Sequence, residues 1–172
     1  VFTQNTIKLN DKIVLSLGTR LDDHSAFGQK QTFNTSVVSK LSDHQLTISH
    51  ESGFKAPTFN DLYFPASSFG ESSGNPNLKP EESLQTSVRY DFSNNSLELN
   101  IKAYYTELDN LIAWAPAPTD TDPNAWQPEN VNKVIIKGWR ASIKENWTSQ
   151  LFTSLVALEP LQKIKKITKN WH

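Results

Sequence analysis

The sequence contains no cysteine, which removes disulfide staples, thiolate metal ligation and thiol nucleophiles together. It also lacks methionine. Nowhere does it hold a run near the ~20 apolar residues that a membrane-crossing helix needs, and its mean hydropathy is -0.52. A helical membrane protein is thereby excluded. A membrane β-barrel is not, because its strands alternate and average to a low hydropathy. Charge of one sign is lacking too. The net charge of -1, with basic residues dispersed along the chain, gives no pull toward nucleic acid. Val1 to Asn5 lack the basic start and apolar core of a secretion leader. An outer-membrane or secreted protein needs one, so the sequence reads as a processed chain or a segment of a longer one.

In place of these features there is alternation of period two, the signature of a strand with one apolar and one polar face. Ile13, Leu15, Leu17, Thr19 and Leu21 fall on one side of 12–23, with Val14, Ser16, Gly18, Arg20 and Asp22 on the other. Leu84, Thr86, Val88, Tyr90 and Phe92 oppose Gln85, Ser87, Arg89 and Asp91 in the same way. The pattern predicts eight strands, over 2–9, 12–23, 31–41, 45–54, 83–92, 96–112, 131–147 and 151–158. Lys137 and Glu145 interrupt the apolar side of the seventh. Beyond Leu158 alternation fades and Lys163, Lys165, Lys166 and Lys169 cluster. Residues 159–172 are therefore read as a divergent basic tail to a barrel portion spanning 1–158.

The connections predict how these strands are arranged. They are expected to be short at Asn10-Asp11, 42–44, 93–95 and 148–150. They are expected to be longer at 24–30, 55–82 and 113–130. An up-and-down antiparallel sheet puts successive connections at opposite ends. The long ones then share one end, as in outer-membrane barrels, where short periplasmic turns oppose long outer loops. A Greek-key sandwich has no reason to produce that asymmetry. Apolar side chains would face lipid, while Arg20, Lys40, Arg89 and Lys102 would face a wet interior. The aromatics Tyr90, Phe92, Tyr105, Trp139 and Trp147 suit interfacial girdles.

One long connection carries more than turn residues. Gly53-Phe54-Lys55-Ala56-Pro57-Thr58-Phe59-Asn60-Asp61-Leu62-Tyr63 is followed by Gly74-Asn75-Pro76-Asn77-Leu78-Lys79-Pro80-Glu81. This pair of motifs resembles the TonB-dependent outer-membrane transporters, and within them the vitamin B12 (cobalamin) receptors. The stretches from Gly18 to Gly28 and from Asn132 to Arg140 are similar to further family segments. At Arg140 this chain departs from an acidic residue usual in the family. The resemblance covers roughly 12–147 and implies the middle of a barrel of about 22 strands with a plugged lumen. It implies TonB-dependent uptake of a scarce nutrient, cobalamin first and a siderophore or other metal chelate second. Implied partners are that cargo, TonB through an N-terminal region outside this sequence, and outer-membrane lipid. The calcium-holding loops of the cobalamin receptors would also lie outside it.

Residue chemistry points to binding. His24, His44, His50 and His172 are scattered without metal spacing or a neighbouring nucleophile. Asp22-Asp23 and Asp120 with Asp122 lack the spacing of an EF-hand loop. There is no phosphate-cradling glycine loop and no nucleophile elbow, so neither an enzyme nor a cofactor is expected. The ligand candidates are aromatic: Tyr63, Phe64 and Phe69 in one long connection, Trp114 and Trp126 in the other. Large rigid rings beside polar donors suit a bulky, partly apolar ligand. A rim-bearing outer-membrane enzyme and a soluble carbohydrate-binding β-sandwich are the rival classes.

Overall fold

The computed structural model describes residues 1–25, 27–65, 73–118, 122–147 and 151–163. The strands are β1 (Phe2–Lys8), β2 (Ile13–His24), β3 (Gly28–Leu41), β4 (His44–Lys55), β5 (Glu81–Ser93), β6 (Leu97–Pro116), β7 (Trp126–Asn146) and β8 (Phe152–Lys163). Among the described residues one short helix, α1 (Phe59–Tyr63), lies in the β4–β5 connection. The strands form one eight-stranded sheet in chain order, every neighbour antiparallel, with β1 and β8 at its edges.

Local chemistry sets the turns. Asn10 Oδ1 accepts the amides of Lys12 and Ile13, each at 2.9 Å, and Asn94 Oδ1 accepts those of Ser96 and Leu97 at 2.9 and 2.8 Å. An Asx side chain that bonds the backbone two or three residues on mimics a turn and starts the hairpin. Between β2 and β3, Gly28 takes a φ of 71°, a left-handed conformation that costs glycine little.

Register then builds the two faces. Leu15, Val37, Ile48, Val88 and Ala103 stand side by side across five strands, and Leu46, Tyr90, Ile101 and Ala141 form a parallel row. Among the described residues no second layer covers them. Val37, Ile48, Val88 and Ile101 are 39–47 % exposed, and the main contacts between elements join neighbours in the sheet. A sandwich would bury this face on a second layer, so the soluble-sandwich alternative fails here. The opposite face is polar and cross-linked. Gln85 donates to Glu51 at 2.6 Å, Thr106 donates to Gln85 at 3.0 Å, and Arg89 pairs with Asp91 at 2.8 Å. At the turn end His44 Nδ1 lies 2.7 Å from the Tyr90 hydroxyl and its ring lies against Phe92. The architecture is an antiparallel up-and-down segment of a membrane β-barrel.

Several boundaries differ from the sequence reading. The expected 24–30 loop is a tight connection between His24 and Gly28, so only the other two connections at that end are extended. The expected 113–130 loop is mostly strand. Trp114 pairs opposite Pro128, and Pro116 opposite Trp126, which leaves only 117–125 as connection. Proline and aspartate suggested a loop, yet the Pro128 side chain is fully buried in the ladder. β8 continues five positions past the expected limit at 158, to Lys163, which is registered with Ile135. Phe69, Asp120 and 164–172 lie outside the described residues.

Candidate ligand-binding site

The β4–β5 connection is organised by a capping box. Thr58 is the N-cap of α1; its hydroxyl accepts the Asp61 amide at 3.2 Å. In return the Asp61 carboxylate accepts the Thr58 amide at 2.9 Å and the Thr58 hydroxyl at 2.6 Å. Reciprocal bonds of this kind satisfy the orphan donors of a helix start. Five residues are too few for a helix to persist by itself, so α1 depends on what it docks against.

It docks on the projecting β6–β7 hairpin. Phe64 meets Trp114 edge-on at 5.6 Å between centroids, an arrangement that aromatic pairs favour. The return segment is then bonded in. The Gly74 amide donates to Phe64 O at 2.9 Å and the Asn75 amide to Asp61 O at 2.7 Å. Asn75 Nδ2 donates to Pro128 O at 3.1 Å, and Asn130 binds both the amide and the carbonyl of Lys79, each at 2.9 Å. Leu78, Ala125, Pro128 and Glu81 are buried here, among the few buried residues of the described chain. Gly74 is required by close approach, since a Cβ there would sit 2.6 Å from the backbone of Leu62 and Phe64.

The structure divides the predicted aromatics. Phe64 and Trp114 are brought together and pack on each other. Tyr63 instead pairs with Phe59 at 5.2 Å, and this pair is the more open, 56 % and 75 % exposed. Trp126 stands at the head of β7, its carbonyl accepting the Ser73 amide at 3.3 Å. Phe59 was missed by the sequence reading. Its spacing of four from Tyr63, after a Thr-x-x-Asp start, could have found it. Trp114 and Trp126 are strand residues, which fixes their backbones more firmly than a loop would.

Asp61 carries the electrostatics of the site. Burial opposes its ionisation, but bonds from the Thr58 hydroxyl and amide and from the Trp114 indole, with the Lys55 charge, outweigh it. Its pKa therefore lies below the ordinary carboxylate range. A depressed pKa contributes stability above the unfolded value and loses it as pH falls through the folded one. Docking of α1 should hold at neutral pH and weaken below about pH 4. Hydrogen exchange at Leu62 and Phe64 should show this step, and Asp61→Asn should abolish it. Among the described residues no cluster of His, Asp and Glu could hold a metal ion.

Comparison with known proteins agrees with this architecture. Residues 1–164 match the family described as "TonB dependent receptor-like, beta-barrel". A vitamin B12 transporter BtuB of Photobacterium profundum is 38 % identical over 120 residues, which cover 69 % of this chain and 19 % of that protein. Its counterpart in Vibrio vulnificus is 43 % identical over 121 residues, covering 69 % and 18 %. The chain thus spans about one fifth of the length of these relatives. In three dimensions it superposes on the crystal structure of the siderophore receptor PirA from Pseudomonas aeruginosa. The TM-score is 0.84 at 22 % identity, covering 95 % of this chain and 34 % of that one.

Proposed function

We propose, starting from the fact that this chain belongs to the TonB-dependent receptor β-barrel family, that it forms part of an outer-membrane importer of cobalamin in a Gram-negative bacterium. The observation that supports the cargo is the identity of 38–43 % to two vitamin B12 transporters. The uncovered apolar face is the surface such a wall presents to lipid, and the docked connection is the surface it presents outward. The chain's part is binding and passage, with no bond made or broken. TonB supplies the energy through regions outside this sequence.

In this reading the exposed Phe59–Tyr63 pair offers flat faces to the cargo, while Phe64 and Trp114 hold the helix that carries them. Tyr63→Ala in the complete receptor should weaken cobalamin binding roughly tenfold, about 1.4 kcal/mol. Trp114→Ala should weaken it at least as much, because it also releases α1. Equilibrium binding to purified receptor measures both, and unchanged affinity in both variants overturns the site. Binding of a ferric siderophore in place of cobalamin would overturn the cargo and leave the transporter class standing.

A further inference from the structure

On the polar face, Arg89, Lys102 and Arg140 occupy directly opposed positions on three successive strands. Like charges facing one another across a sheet destabilise it. Neighbouring strands lie about 4.8 Å apart, so the three backbone positions fall within about 10 Å. Arg89 pairs with Asp91, which binds its Nη2 at 2.8 Å, whereas among the described residues neither Lys102 nor Arg140 forms a salt bridge. No acid faces Lys102 or Arg140 across the ladder: their other partners in register are each other, Arg89 and Leu158. Both line a cavity of about 380 Å³ together with Gln85, Tyr104, Trp139, Leu158 and Glu159. The Glu159 carboxylate is engaged elsewhere, accepting the Trp139 indole at 2.7 Å from the alternate position on β8. Tyr104, the next residue on the same face after Lys102, is registered with Gly138, where a Cβ would lie 2.8 Å from its hydroxyl.

From this arrangement we infer that Lys102 and Arg140, with the Tyr104 hydroxyl, form a binding site for one oxyanion group, a carboxylate or a phosphate, on the polar wall. A wet wall needs no charge at these positions, and Ser87 and Ser142 fill the next positions on two of the strands. A single oxyanion spans two cations one strand apart and turns their repulsion into two charge-assisted bonds. Either a soluble anion or a carboxylate fixed on another part of the longer polypeptide supplies that chemistry.

The test is thermal unfolding of the complete receptor in detergent, comparing wild type with the double variant Lys102→Gln/Arg140→Gln. No cargo enters the measurement, so it stands apart from the cobalamin reading. A soluble anion predicts that inorganic phosphate raises the wild-type midpoint above a chloride control of equal ionic strength. The rise should be about 2–4 °C, and smaller in the double variant. A fixed carboxylate predicts no such difference. Wild type then exceeds the variant by a similar margin in about 0.05 M sodium chloride, and loses the margin near 1 M. Arg140→Lys keeps the charge and should behave as wild type, and Arg140→Gln alone, with a smaller margin, carries the comparison if the double variant does not fold. The inference is overturned if removing both charges leaves the midpoint unchanged or raises it at low salt, with phosphate acting equally on both proteins.

Discussion

Arginine in place of Val88 should cripple assembly into a bilayer, while arginine in place of Ser36 should leave it nearly intact. Val88 stands in the middle of the uncovered apolar face, between Ile48 and Ala103, and is 44 % exposed. A guanidinium at mid-membrane costs about 2–4 kcal/mol on the lipid side of a barrel. That is a large part of the stability of a typical fold. Ser36 lies on the polar face, between Ser16 and Ser49, where a long cation meets small neutral neighbours and water. Folding yield of the complete receptor into phospholipid vesicles, read by its heat-dependent gel mobility, separates the two. Equal tolerance, or a greater loss at Ser36, would reverse the assignment of faces on which the membrane reading rests.

The second large effect is expected at Glu81. Its side chain is buried, and one carboxylate oxygen accepts the Ile112 amide at 3.0 Å and the Lys55 ammonium at 3.2 Å. Glu81→Ala removes the partner of a part-buried amide, and a donor left unsatisfied costs about 1–3 kcal/mol. The ion pair adds little, because the Lys55 side chain is 63 % exposed and such pairs contribute at most about 1 kcal/mol. Lys55→Met should therefore be mild and Glu81→Gln, which keeps an acceptor, intermediate. Hydrogen exchange at Ile112 and along α1 should accelerate in that order. A Lys55→Met effect as large as that of Glu81→Ala would place the stabilisation in the charge pair instead.

Most of the sheet was legible because each strand carries its own evidence. Alternation from Ile13 to Leu21 or from Leu84 to Phe92 is local and needs no partner. The motif from Gly53 to Glu81 gave the family, but not the reason for its residues. Asn75 bonds Pro128 and Lys79 bonds Asn130, more than fifty positions away, and no single sequence shows that pairing. The extent of β6 and β7 was hidden for a different reason. Pro116, Pro123, Pro128 and Asp122 carry turn propensity, yet pairing between the two strands overrides it as far as Pro116 and Trp126. Among the aromatic candidates, Phe64 and Trp114 pack together and Tyr63 packs on Phe59. Which ring packs and which stays open depends on α1, whose start was written in Thr58 and Asp61.

The length of β6 and β7 has one more consequence. Their 20 and 21 residues are about twice the 9–11 that cross a bilayer. At about 3.3 Å per residue, the surplus lifts the hairpin tip roughly 30 Å along the strand direction. α1 is fastened to that hairpin at Trp114, which holds its aromatic pair on the projecting side of the sheet. On the importer reading proposed above, a solute would be met in water on that side, ahead of the membrane that the barrel crosses.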